Sequence, residues 1–252
     1  MAFKDWDLKA EIAASDFRGL KKNANTADVI SRVLANFVTQ WGPHDLTDKK
    51  LDEKIALLEN SWMADVLYAW ILLRMMALGP VVTVPVECPN CENKMDIDLD
   101  LTGLDLSAAH DDDTLKVKRP LPVGFKFPPS SPWGKMDGLK DLVTELTLQP
   151  MKWSAFGLIK KDQILKPAET KAAFMVSSIS GVNGMDGVSL SLADVSSMGK
   201  LDFEAAASSG IEFRPVLDFE MDCPVESCKT HIRDVPVPWD YGSFFSKRAS
   251  SR

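Results

Sequence analysis

Val86-Glu87-Cys88-Pro89-Asn90-Cys91 and Met221-Asp222-Cys223-Pro224-Val225-Glu226-Ser227-Cys228 hold all four cysteines of the chain. Each pair follows a short strand-like run and opens with a Cys-Pro turn. Two such turns read as two halves of one tetrahedral site, with residues 92–222 looped out between them. Zinc favours soft thiolates in a tetrahedron, and a Cys-x2-Cys turn presents two of them at a suitable bite. The second spacing, Cys-x4-Cys, is wider than a standard knuckle. His231 lies three residues beyond Cys228 and offers a nitrogen that can replace one sulfur.

Three other readings of the cysteines compete. Disulfides are disfavoured in a reducing cytosol. A thioredoxin-like redox pair calls for Cys-x2-Cys at a helix N-terminus, whereas acidic strands follow here. Inert core cysteines would not repeat as Cys-Pro turns. The expected ion is therefore Zn2+, with iron its rival. Four thiolates leave no open position for a catalytic water, so the metal reads as structural.

Working outward, the period of the apolar residues changes at Gly79-Pro80. Beyond it Val82, Val84 and Val86 alternate with polar positions. After Cys91, Met95, Ile97 and Leu99 alternate with Asp96, Asp98 and Asp100. This predicts a hairpin with the first cysteines in its turn. Before Gly79, Val29, Ile30, Val33, Leu34 and Phe37 predict an amphipathic helix over Thr26–Gln40, ended by Gly42-Pro43. Thr47–Glu59 reads as a charged second helix, and Trp62–Leu78 as a third that is apolar nearly all round and hence buried. Asp65 and Arg74 interrupt that stretch, so it falls short of the ~20 apolar residues of a membrane span.

Further on, Thr114–Arg119, Gly124–Phe127 and Leu142–Leu148 read as short strands. Residues 151–165 read as a short helix or insertion, and Ala168–Ser178 as a helix that runs into a loop at Ser180–Gly184. Ser191–Ser209 reads as two short helices. Arg214–Met221 and Ile232–Val237 flank the second cysteine turn as strands. The fold class expected is α+β: an N-terminal helical region on a mainly antiparallel β core, with a zinc-ribbon-like four-cysteine clasp and a helical insertion. The expected organisation is an N-terminal arm (1–25), a helical region (26–79), a zinc-clasped core (80–245) with an insertion around 102–167, and a polar tail (246–252).

With 252 residues, 45% of them apolar, the chain can bury a sizeable core. The net charge of −7 argues against nucleic acid as a main partner, because such proteins concentrate Lys and Arg against phosphates. No basic segment followed by an apolar run opens the sequence, which predicts no secretory leader. Catalytic signatures are sparse. The three histidines are His44, His110 and His231. His44 and His110 sit in polar turns and read as solvated, and Asp111–Asp113 read as a solvated acidic turn. No Gly-x-Ser-x-Gly, phosphate loop or dinucleotide glycine pattern occurs. The glycines of Gly181–Gly187 follow a helix rather than a strand. Of seven tryptophans, Trp62 and Trp70 are expected in the core helix. Trp6, Trp41, Trp133, Trp153 and Trp239 fall in loops or termini, where they either anchor an interface or pack on their own chain.

Tyr68–Gly79, the run from Val82 to Cys91 and Met95–Leu101 together resemble a family of phage baseplate proteins, similar to the T4-type baseplate hub protein. So does the ending: Cys223-Pro224 to Cys228, a polar strand, Val235-Pro-Val-Pro-Trp-Asp240 and Phe244-Phe245. The likeness covers roughly residues 61–101 and 168–245. It departs from the family pattern at Glu92, where knuckles often carry glycine, and in the width of the second turn. The resemblance implies a structural or assembly protein of a contractile tail, in the baseplate hub region. It implies metal ligands at Cys88, Cys91, Cys223 and Cys228 and no catalytic role. Other baseplate and tail proteins are the expected partners, with several copies in a symmetric assembly and neither nucleic acid nor membrane among them. The expected location is the virion, after synthesis in the bacterial host cytoplasm. A zinc-ribbon protein associated with nucleic acid or transcription is the alternative. It is weakened by the acidic charge and by the few Lys and Arg residues near the cysteines.

Overall fold

The computed structural model describes residues 1–7, 12, 26–103, 116–158, 167–207 and 220–232. It is α+β, with helices and exclusively antiparallel strand pairing among the described residues. Two compact units divide the chain. The first comprises residues 1–58, 64–107 and 214–252, and the second 59–63 and 108–213.

In the first unit, β1 (Ala2–Phe3) pairs with β2 (Val38–Trp41), which pairs with β3 (His44–Asp45). Helix α1 (Thr26–Phe37) ends three residues before the expected Gln40. Val38 and Gln40 are claimed by pairing with Phe3 and Ala2, and tertiary strand pairing overrides the helical period there. Trp6 stacks on Phe37 with centroids 4.4 Å apart, and Lys4 lies 5.5 Å from the same ring. Helices α2 (Leu51–Asn60) and α3 (Met63–Leu78) are separate, and Trp62 lies in the break between them rather than in the expected core helix. Val66, Ala69, Trp70, Ile71 and Leu73 of α3 are buried, as an all-apolar helix requires.

The hairpin of β4 (Val81–Glu87) and β5 (Lys94–Asp100) follows, with seven residue pairs in unbroken register from Val81↔Asp100 to Glu87↔Lys94. Val82, Val84, Val86, Ile97 and Leu99 are buried and the aspartates face outward. Buried Arg74 secures the corner between α3 and β4. Its two terminal nitrogens donate to the carbonyls of Gly79 at 2.6 Å and Val81 at 2.7 Å. Burial lowers its pKa.

The second unit is built on a four-stranded sheet in the order β6–β7–β8–β9. One strand, β6 (Val117–Phe125), replaces the two short strands expected from the sequence; a register shift between Pro120 and Phe125 accounts for the apparent break. Gly124 sits in that shift at φ 80°, and a Cβ there would lie 2.6 Å from the Val143 carbonyl. Gly124→Ala is therefore expected to cost about 2 kcal/mol or more, read as a lower denaturation midpoint. An unchanged midpoint would show that β6 can shift to make room.

Next to it runs β7 (Val143–Leu148). Helix α4 (Pro167–Ser178) leads into β8 (Ile179–Val182) and β9 (Met185–Asp186). The segment expected to be a loop is thus a tight hairpin. Asn183 (φ 48°) and Gly184 (φ 76°) form its two-residue turn, and positive φ at both central positions matches the right-handed strand twist. Asn183 also ties the turn to β7: its Oδ1 accepts from Thr144 N–H (2.9 Å) and Glu145 N–H (3.1 Å), and its amide donates to the Leu142 carbonyl (3.1 Å).

Two short helices follow as expected, α5 (Leu192–Ser196) and α6 (Lys200–Ala207). The core joins Phe125, Leu139, Val143, Leu146, Val182, Leu190 and Val195. Buried Asp202 of α6 accepts from Val123 N–H at 2.9 Å, which occupies a donor on the outer edge of β6. Trp153 is buried, and the Trp133 indole donates to the Ser189 carbonyl at 2.9 Å. With Trp6 and buried Trp41, these tryptophans pack on their own chain.

A capping box starts α5. The Ser191 hydroxyl accepts from Asp194 N–H at 3.2 Å, and Asp194 Oδ2 accepts from Ser191 N–H at 2.8 Å. Burial pushes the Asp194 carboxyl up, but the Ser191 and Ser131 hydroxyls and the Ser191 N–H together hold it below the ordinary 3.8. A lowered folded pKa gives stability that is present above 3.8 and lost as pH falls through the lower folded value. Asp194→Asn is expected to flatten the acid limb of a pH–stability profile below about pH 4. An acid limb of unchanged steepness would assign that dependence elsewhere.

Candidate metal centre

Each cysteine turn grows out of a strand end. In the first, Cys88 N–H donates to the Asn93 carbonyl (2.9 Å) and Glu92 N–H returns to the Cys88 carbonyl (3.0 Å). In the second, β10 (Met221–Asp222) and β11 (His231–Ile232) pair, and Cys223 N–H donates to the Thr230 carbonyl (2.9 Å). The extra residues of the wider turn are taken up by bonds from Cys228 N–H (2.8 Å) and Lys229 N–H (3.2 Å) to the Val225 carbonyl. Glu92 (φ 57°) and Lys229 (φ 46°) each follow the second cysteine and each adopt the left-handed conformation. The two turns therefore share a backbone device that their spacings conceal, and glycine is not required for it.

Folding brings all four sulfurs within 4.8 Å of one another. Two sulfur–sulfur contacts cross from one hairpin to the other: Cys88 to Cys228 at 3.7 Å and Cys91 to Cys223 at 3.6 Å. A tetrahedron with metal–sulfur bonds of ~2.3 Å has edges of ~3.8 Å, so the spacing suits a thiolate-bound ion. Cys88 and Cys223 are buried, Cys228 is half-buried and Cys91 is exposed. Cys228 Sγ also meets the Asn90 amide at 3.4 Å and the Thr230 hydroxyl at 3.1 Å.

The thiols differ in acidity. Cys228 is pulled down to about 6, first by the Thr230 hydroxyl and then by the Asn90 amide. Backbone N–H groups of Cys91 and Asn90 lower Cys88. For Cys91 the Asn93 N–H pulls downward, but loss of hydration beside the cluster and the three neighbouring thiols outweigh it and push the group up to about 12, although the residue as a whole is exposed. Cys223 is raised by burial and by the Cys88 and Cys228 thiols, against the Val225 N–H. Like charges this close cannot all ionise unaided, and a cation removes that conflict. The four cysteines can thus hold a metal ion.

His231, the expected substitute ligand, lies in β11 with its ring nitrogens 3.0 Å from Asp222 Oδ1 and 3.2 Å from Glu220 Oε2. Asp222 and then Glu220 raise its pKa. His44 is exposed in β3. His110, Asp111–Asp113, Trp239 and Phe244-Phe245 lie outside the described residues, as do the strands expected over Arg214–Phe219 and Arg233–Val237. No described helix is long and apolar enough to cross a membrane.

Fold and site define an α+β protein in which a four-cysteine cluster joins a mid-chain hairpin to a C-terminal one. The chain belongs to the T4 bacteriophage base plate protein family, whose model matches residues 7–246. Membership implies a component of the virion tail with other phage tail proteins as partners. No curated protein and no solved structure matches the chain.

Proposed function

We propose that the chain is a structural or assembly component of the baseplate hub region in a contractile phage tail, acting through protein–protein contacts rather than catalysis. In this reading Cys88, Cys91, Cys223 and Cys228 hold a structural zinc ion, and His231 stays with its two carboxylates. The observation that carries it is the closure of four thiols around one point in a member of the base plate family. Zinc fits because thiolates close all four positions of its tetrahedron. The thiols would load metal in the reducing host cytoplasm, before the chain enters a symmetric assembly in several copies. Nucleic acid and membrane have no part in this role.

Purified particles test it by mass spectrometry and elemental analysis. The chain should be found in the baseplate, and the isolated chain should carry one zinc. A chain without zinc or iron would remove the metal from the proposal. Deleting Phe244–Arg252 is expected to reduce incorporation into baseplates while the thermal midpoint stays within a few degrees, on the order of a 1 kcal/mol change. Loss of the fold before loss of incorporation would refute the interface role of that tail.

A further inference from the structure

We infer that the same four cysteines are an oxidation site at which an ion-held clasp converts to a covalent one. A peroxide-class oxidant joins Cys88 to Cys228 and Cys91 to Cys223, and the ion leaves. This rests on the zinc reading above and adds the fate of that site once a particle has left the reducing cytoplasm.

The geometry favours this pairing. All four sulfurs lie within 4.8 Å of one another, and the contacts of 3.7 Å and 3.6 Å run between hairpins. A disulfide is ~2.0 Å long, so each pair closes by about 1.6 Å. Within each turn the backbone is already pinned, by Glu92 N–H on the Cys88 carbonyl and Cys228 N–H on the Val225 carbonyl. Cys91 is the exposed member and gives the oxidant its point of entry, while Cys223, 3.6 Å from it, is buried.

The chemistry balances without a further reactant. The Cys91 sulfur, a thiolate while it ligates the ion, attacks one peroxide oxygen, the O–O bond breaks and a sulfenic acid forms. The Cys223 thiolate attacks that sulfur, the disulfide forms and the oxygen leaves as water. Each pair consumes one peroxide and two protons, gives up two electrons and yields two waters. Two pairs consume two peroxides, and Zn2+ departs with its oxidation state unchanged. The strands joined by the ion are afterwards joined by two S–S bonds.

The test uses the zinc-loaded full chain and hydrogen peroxide. Released zinc is followed with a chromogenic chelator, free thiols are then blocked, and the chain is digested with trypsin without reduction. No Lys or Arg lies between Cys88 and Cys91 or between Cys223 and Cys228, so each turn stays within one peptide. The expected result is one zinc released per two peroxides and a single linked species containing both peptides. Fragmentation of that species should assign its bonds as Cys88–Cys228 and Cys91–Cys223, and a Cys88–Cys223 with Cys91–Cys228 pattern overturns the pairing. Two separate peptides, each lighter by two hydrogens, overturn the inference, as does conversion of the sulfurs to sulfonic acids. Absence of zinc before oxidation defeats the zinc reading alone, because the linkage pattern is read independently of it.

Discussion

Stripping the proposed metal with a strong chelator, or replacing Cys223 with serine, is expected to unfold the first unit and leave the second folded. Structural zinc can contribute on the order of 10 kcal/mol to folding. A domain is stable by only about 5–15 kcal/mol in all, so the loss is comparable to the whole. The reason is where the ligands sit: two come from the turn of the Val81–Asp100 hairpin and two from the turn between β10 and β11, so one ion ties the two hairpins together. Among the described residues, β10 and β11 share two residue pairs. Calorimetry of loaded and stripped chain should show one transition lost or moved down by more than about 10 °C, a shift of at least ~2 kcal/mol. Acid should act the same way, because protonated thiols release metal. An unchanged thermogram after verified removal of the ion would show that the clasp does not hold the unit together.

Arg74→Met carries the second large effect. The arginine is 3% exposed and makes two short bonds to the carbonyls of Gly79 and Val81. Methionine retains the apolar stem and removes both donors. Gly79 is half-buried and Val81 exposed, so water can reach the freed carbonyls in part, and the expected loss is about 1–3 kcal/mol in all. The consequence reaches the metal centre, because the corner sets where β4 starts and β4 ends next to Cys88. Denaturant titration should show the lower stability, and competition with a chelator should show weaker metal retention. Arg74→Lys should rescue only part of the loss, since one ammonium cannot reproduce the fork of a guanidinium. Wild-type metal affinity in a destabilised Arg74→Met chain would separate the corner from the site.

What the sequence makes legible follows from how local each signal is. The hairpin around Cys88 is plain because strict alternation over Val82–Val86 and Met95–Leu99 needs no partner outside the segment. The cluster is plain because soft ligands repeated in one turn type are rarely accidental. Helix α1 reads too long because the strand claiming Val38 lies at the far N-terminus, and periodicity has no view of it. The β8–β9 hairpin escapes sequence reading for a different reason. Asn183-Gly184 is a strong turn signal, but the strands beside it are short, and its clamp onto β7 comes from a segment about forty residues earlier. The apparent break in β6 is a bulge, and a glycine at positive φ is the local trace it leaves. Arg74 reads merely as an interruption in an apolar helix, because its two acceptors are carbonyls, which every residue carries.

The division of the chain into two units has a consequence in time. The first unit is discontinuous: its cysteine hairpin at residues 88–91 leaves the ribosome long before the partner turn at 223–228. The intervening residues 108–213 contribute a unit whose strands pair among themselves, so they can fold while the first unit is still waiting for its last strands. Cys88 and Cys91 therefore wait without the other half of the cluster for much of synthesis. A chain released before residue 228 would carry the first two cysteines without their partners.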